Sequence, residues 1–399
     1  MRTQKTFFDK IKPQFQQGGK YEKFYYALEA FETFLYAPNS TTGTRGAQIR
    51  DGVDLKRMMM TVILAMVPCL LFGIYNVGYQ HFLAIGQEAT LMEIIGVGLY
   101  RVLPIVVVSY ASGLGVEFIF SIIRRHPVNE GFLVSGMLIP LIVPPTIPLW
   151  QVALATIFAV LIGKEVFGGT GMNIFNVALT ARAFLYFAYP SEISGEVWTY
   201  IGDNEVVNGY SGATPLAAAV TAMNNGTPFT DVLANTNSVL AADYYSFANM
   251  FFGFIPGSIG ETSTLMALIG AFILIATGVG SWKIIFSVFA GAFIMGLGFN
   301  AIGVNEYMNM PAHYHLVIGG LAFGAVFMAT DPVTASQTER GKWIYGFLIG
   351  VFTVIIRVVN PAYPEGIMLA ILFMNVFAPL IDFYVIKANK KRRLQRATV

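Results

Sequence analysis

Ten apolar runs, each close to the roughly 20 residues that a helix needs to cross a ~30 Å hydrocarbon core, leave this chain few folds to choose from. They lie near 58–79, 91–122, 131–149, 151–167 and 172–189, and again near 263–280, 284–303, 314–330, 343–359 and 364–386. Lipid offers no partner to a backbone N–H or C=O, so a run of this kind must close its hydrogen bonds within itself, as a helix. The expected fold class is an all-α polytopic membrane protein with about ten transmembrane helices. Only 12% of the residues are charged, about half the share of a soluble domain, which argues against a soluble enzyme or a nucleic-acid-binding module.

Five runs plus five give an even number of crossings, so both termini belong on one side. The cluster Lys387, Lys390, Lys391, Arg392, Arg393 and Arg396 and the basic N-terminal arm mark that side as cytoplasmic. Arg124 and Arg125, Lys164, Lys283, and Arg340 with Lys342 fall in loops expected on the same side. By contrast, the 100 residues from 183 to 282 contain no Lys or Arg, which places the long loop 190–262 outside. The resulting organisation is an arm at 1–56, helices over 57–189, the outer loop 190–262, helices over 263–386 and a basic tail at 387–399. The arm has no apolar core followed by a cleavage site, so it does not read as a secretory signal. Its stretch Tyr21 to Leu35, aromatic and dotted with charges, suits an amphipathic helix at the cytoplasmic interface.

The two helical halves resemble each other. Gly131 and Gly136 match Gly319 and Gly324 at an offset of 188, and Trp150 and Lys164 match Trp343 and Arg357 at an offset of 193. An odd number of spans per copy forces the second to insert upside down, which predicts two inverted five-helix repeats with broken helices. Pro140, Pro144, Pro145 and Pro148 crowd one span and Pro104 interrupts another, as expected where freed backbone groups face protein.

Several motifs compete for chemistry. The single Cys69 excludes an internal disulfide and an iron–sulfur cluster held by this chain's own thiolates. Gly296-Leu297-Gly298-Phe299-Asn300-Ala301 fits a dinucleotide pattern but lies inside a span with no preceding strand, so helix packing is the better reading. Gly168-Gly169-Thr170-Gly171 lacks the Lys of a phosphate loop and most simply turns the chain. His313 and His315 are too sparse for a metal site and suit interfacial hydrogen bonding. In the outer loop, Ser211-Gly212-Ala213-Thr214 offers a hydroxyl with slim neighbours and a following Pro215, an ordinary turn or a place where a modifying enzyme could attach a group.

Context favours attachment. Gly18-Gly19-Lys20-Tyr21-Glu22-Lys23, Asp51 to Met59, Val128-Asn129-Glu130-Gly131-Phe132, Lys164 to Asn173, Ala181-Arg182-Ala183-Phe184, Ser211 to Thr214 and Ala329 to Thr334 appear in order along nearly the whole chain. With them the sequence resembles the B subunits of the sodium-translocating NADH:quinone oxidoreductases and, less closely, the D subunits of the related Rnf complexes. The long N-terminal arm favours the first. The resemblance implies FMN held covalently by Thr214 within the motif Ser211, Gly212, Ala213, and a second flavin, riboflavin, bound without a covalent bond. It also implies ubiquinone as acceptor, Na+ export, and a six-subunit complex with subunits A, C, D, E and F in a bacterial inner membrane. NADH would then be oxidised elsewhere in the complex.

On that reading Asn173, Asn176 and Arg182 could meet the polar edge of the riboflavin ring, since amides both donate and accept. Gly136, Pro140, Phe24 and Phe34 are candidates for the quinone pocket. Glu130, Glu165, Asp331 and Asp382, with Thr330 and Thr334, offer the hard oxygens that sodium prefers. The same acids read equally well as helix caps or buried ion pairs, with Arg101, Arg182 and Arg357 as partners. An Rnf-type protein, an inverted-repeat solute channel and a plain membrane scaffold remain as rivals; the last two predict no flavin.

Overall fold

The computed structural model describes residues 7–16, 19–26, 28–29, 32, 55–125, 128, 131–195, 197–202, 210–235, 244–360 and 365–397. Regular structure among them is entirely helical. The first part contains α1 (Phe7–Phe15), α2 (Leu55–Ile85), α3 (Leu91–Arg124), α4 (Gly131–Leu141), α5 (Leu149–Gly163) and α6 (Val177–Ala188). Three short helices follow: α7 (Pro215–Asn225), α8 (Phe229–Asn235) and α9 (Phe247–Phe252). The second part contains α10 (Thr264–Ala276), α11 (Trp282–Ile302), α12 (Tyr314–Val317), α13 (Leu321–Phe323, running into a π turn Gly324–Met328), α14 (Glu339–Val359) and α15 (Ile367–Ala397). Among the described residues, α2, α3, α5 with its trailing 3-10 turn, α11, α14 and α15 are long and apolar enough to cross a membrane. The chain is a multi-pass helical membrane protein.

The other four apolar runs do not form full-length helices, and each break has a local cause. The run 131–149 stops as helix at Leu141, ahead of Pro144, Pro145 and Pro148, which cannot continue it. The run 172–189 starts as helix only at Val177, after Asn176 caps it through Leu179 N–H. The run 263–280 ends at Ala276, before the left-handed Gly278. The run 314–330 breaks at Gly319, whose φ of 67° no β-branched residue would tolerate, and then winds into the π turn. Pro104 behaves differently from expectation: α3 runs through it without interruption, because one missing N–H removes one bond from a helix of 34 residues.

Backbone groups freed by these breaks are met inside the protein. At the end of α4, Leu141 C=O accepts Gly260 N–H (2.7 Å), Val143 C=O accepts Ile259 N–H (3.2 Å), and Ile142 C=O accepts the Arg182 guanidinium. At the other break Arg357 donates to the carbonyls of His315 and Ile318, both at 2.9 Å. A buried arginine thus stands in for the missing helical N–H groups in each half.

Helix pairings recur between the halves. In the first, α2 packs on α4, α3 on α4 and α5, and α6 on α4 and α5. In the second, α10 packs on α13, α11 on the π turn and α14, and α15 on the π turn and α14. Across the halves, α2 packs on α10 and α6 on α15. Between α11 and α14, glycines allow backbone contact: a Cβ on Gly291 would collide with Phe347 C=O and one on Gly350 with Val288 C=O. Beyond this bundle, Leu216, Ala219, Phe229, Tyr245 and Met250 form a second apolar cluster with Tyr307 and Val354, which fixes residues 215–235 and 244–252 against the helix ends.

Of the stretch expected as an amphipathic helix, Tyr21 to Leu35, residues 21–26, 28, 29 and 32 are described, and 25, 26, 28, 29 and 32 have helical backbone. The same stretch holds a 3-10 turn at Glu22–Phe24 and an ion pair from Lys12 to Glu32 (2.9 Å).

Candidate functional site

The helix α6 has one end in each of two cavities. Asn176 and Val177, at its start, line the first together with Met58, Lys164, Asn173 and Asp331. Arg182 and Tyr186, further along it, line the second with Trp198, Thr214, Glu261 and Glu365. Six residues of helix separate Asn176 from Arg182, about 9 Å of rise, so the three residues expected around one ring are split between two sites. Arg182 belongs with Thr214.

In the second cavity Thr214 is the N-cap of α7: its Oγ1 accepts Ala217 N–H at 3.3 Å, and Pro215 occupies the first helical position. The preceding turn is pinned from both sides. Ser211 Oγ accepts Ala213 N–H (3.2 Å), and Tyr245 donates its hydroxyl hydrogen to Ala213 C=O (2.7 Å). Nearby, Tyr210 and Thr199 share a hydrogen bond (2.9 Å); burial pushes the Tyr210 phenol up, so it stays a neutral hydrogen-bonding group. Below the turn, Arg182 donates to Ser258 (3.1 Å) and Glu261 (3.0 Å), and Glu365 lies 3.8 Å from its other terminal nitrogen. Trp198 lies beside the same guanidinium, 5.9 Å from its ring centre.

This arrangement suits a phosphate ester at Thr214. An Oγ at a helix N-cap sits at the positive end of the helix dipole, which favours an anion. The aromatic walls of Tyr186 and Trp198 suit a planar ring, and Glu261 Oε1 is buried without a partner.

The first cavity is built at the opposite end of the helices. The glycines 168, 169 and 171 adopt positive φ values, which turn the chain and bring Thr170 and Asn173 to the cavity wall. Thr170 Oγ1 is buried with no partner. Asn176 Nδ2 reaches Asp331 Oδ2 (3.3 Å), and Asp331 also accepts from Val333 N–H (3.0 Å) and Thr334 Oγ1 (3.2 Å). Asn173 bonds Phe175 C=O (3.0 Å). Gly131 lines this cavity and its partner by offset, Gly319, lines the other.

The remaining candidates are dispersed. Glu165 is buried and paired with Arg124 (3.3 Å), while its neighbour Lys164 turns to Glu117 instead. Asp382 caps the start of α14, accepting from Ser336 Oγ (2.6 Å), Gln337 N–H (2.7 Å) and both groups of Thr338. Thr330 bonds back to Val326 C=O (2.6 Å). Gly136 packs under Tyr110 and Phe132, and Pro140 is buried in the last turn of α4; neither residue lines either cavity. Phe24, half exposed, lines a surface cleft with Tyr21 and Arg125. Glu130 and Phe34 lie outside the described residues. Gly296 packs against Ala312, as expected of a helix contact, and His315 is buried flat beside Tyr307.

Residues 43–391 match the model of the NQR2, RnfD, RnfE family. The chain belongs to that family. Family members similar over almost all of it include the B subunit of the Na(+)-translocating NADH-quinone reductase of Chromohalobacter salexigens, 51% identical over 97% of this chain and 95% of the relative. The B subunits from Stutzerimonas stutzeri and Ectopseudomonas mendocina, at 49% and 48%, each cover 98% of this chain and 99% of the relative. Both cavities lie inside the stretch the family model matches. Within this family member, Glu117 and Glu261, both buried, and the partly buried Glu365 emerge as carboxylates that sequence reasoning passed over. Glu117 could have been found as an acid inside an apolar run; Glu365 could not, because its partners lie 45 residues away at Gly320 and far beyond at Arg182.

Proposed function

We propose that this chain is the B subunit of a Na(+)-translocating NADH:quinone reductase, carrying FMN as a phosphoester on Thr214 and riboflavin in the cavity of Asn173 and Asn176. The single observation behind this reading is the position of Thr214, an N-cap hydroxyl at the mouth of a cavity with aromatic walls. The flavins supply one- and two-electron chemistry, and the protein supplies orientation and potential. Thr214 and the first turn of α7 anchor the phosphate. Arg182, Glu261 and Trp198 shape the slot for the ring. Asn173, Asn176 and Thr170 would hold the second ring at the other end of α6, and the apolar core between the cavities excludes water from the route.

The scarcity of basic residues around Thr214 supports an outward-facing position for its cavity, where electrons enter the chain, with both termini cytoplasmic in a bacterial inner membrane. Electrons then cross the membrane inward towards ubiquinone, in company with subunits A, C, D, E and F. Glu165, Asp331 and Asp382 remain proposals for a sodium path, joined by Glu117; each holds oxygen ligands near the cytoplasmic end. The two halves, with their matching pairings, form an inverted repeat on this reading.

The test is quinone reduction by the purified complex. NADH should drive it, sodium should stimulate it, and Thr214→Ala should reduce the rate at least a hundredfold while the complex still assembles. Rapid ferredoxin-dependent turnover with no quinone reduction would instead favour the Rnf-type reading.

A further inference from the structure

Among the described residues that line the Thr214 cavity, one buried side-chain oxygen has no partner: Oε1 of Glu261. Its twin, Oε2, accepts from Arg182 at 3.0 Å, and the residue as a whole is only 5% exposed. Arg182 is itself bound on Ser258 and on the Ile142 carbonyl, so it cannot swing to satisfy the second oxygen without releasing the broken end of α4. Position 320 is also committed to this arrangement: a Cβ there would lie 2.7 Å from Glu261 Oε1 and 3.0 Å from Glu365 Oε1. Glu365 has its own donor in Gly320 N–H. A carboxylate beside a guanidinium accepts hydrogen bonds and donates none, and leaving a buried acceptor unmet costs about 1–3 kcal/mol. A donor brought to this point would relieve that cost.

We infer that Glu261 is a positioning residue for the ring in the outer cavity, accepting the N3–H of an isoalloxazine whose phosphate is anchored at Thr214. N3–H is the permanent donor on the polar edge of that ring and sits between two carbonyl oxygens, so one carboxylate oxygen can read it and set the ring's rotation in the slot. The inference rests on the reading that Thr214 carries FMN. The negative charge also opposes adding an electron to the ring, so removing it eases reduction.

Two variants of the assembled complex test this, Glu261→Gln and Glu261→Asp, the second retaining the ion pair with Arg182. In-gel flavin fluorescence of the denatured chain first establishes attachment in each. Resonance Raman difference spectra, variant against wild type, cancel flavins outside this chain and are recorded in H2O and in D2O. The expected result is a weakened N3–H bending response in both variants, and for Glu261→Gln a shift of the one-electron equilibrium by about tenfold towards reduction, 59 mV. An unchanged N3–H response overturns the inference even if the potential moves, since a water or cation on Oε1 would allow that. So does an assembled complex in which neither variant carries attached flavin while wild type does. Absence of the adduct from wild-type chain overturns the attachment reading itself, and this inference with it.

Discussion

Arg182 and Arg357 are buried inside the bundle; Arg182 holds the Ile142 carbonyl beside Ser258 and two carboxylates, and Arg357 holds backbone. Arg357, with no exposed surface, donates to the carbonyls of His315, Ile318 and Glu365. Replacing it with Met leaves the His315 and Ile318 carbonyls unmet, at about 1–3 kcal/mol each, while Glu365 C=O keeps Ile367 N–H (2.8 Å). We expect Arg357→Met to lower the thermal unfolding midpoint of the detergent-solubilised complex sharply, and Arg357→Lys to recover only part of the loss because an ammonium lacks the fork. An unchanged midpoint for Arg357→Met would contradict this role. Thr214→Ala should behave in the opposite way, losing a cap worth about 1 kcal/mol and leaving the fold intact. At this scale the motif around Thr214 was legible because four small residues in a row are visible without a structure. The partner of Arg182 was not: Glu261 is 79 residues distant, and only the folded bundle brings them together.

At the scale of elements, a broken helix was legible where prolines cluster, as at 144–148, whereas the break at Gly319 shows only in its positive φ. The same residue type at Pro104 sits within an unbroken α3. A single proline therefore says less than a cluster, since a long helix loses only one bond to it. The pairing of α11 with α14 depends on glycines that the sequence shows but whose facing partners it does not. Gly291→Leu should separate these helices, because its side chain would occupy the place of Phe347 C=O, whereas Gly298→Leu, with open space beyond its Cα, should be tolerated. The yield of assembled complex from membranes distinguishes them: we expect a loss of at least tenfold for the first and near wild-type yield for the second. Equal yields would show that close backbone approach at Gly291 is dispensable.

At the scale of the whole molecule, two cavities at opposite ends of α6 give the chain a direction. The count of runs and the distribution of basic residues made the membrane class and the sidedness expectation legible, because lipid imposes both on sequence. The four short or broken helices distorted the count of spans, since composition cannot tell a half-helix from a full one. Sidedness can be checked through Thr227, exposed in the loop after α7; with Cys69 buried, Thr227→Cys provides a site for a membrane-impermeant thiol reagent. It should react in intact spheroplasts and be protected in inverted vesicles, and the reverse pattern would put Thr214 on the cytoplasmic side. The central claim is that Thr214 carries the flavin. Intact-mass analysis of the denatured chain, purified from a host that contains the flavin-attaching enzyme, tests it most directly: wild type should carry one FMN-sized adduct that Thr214→Ala lacks. Wild-type chain without the adduct, or Thr214→Ala chain that retains it, would contradict the account.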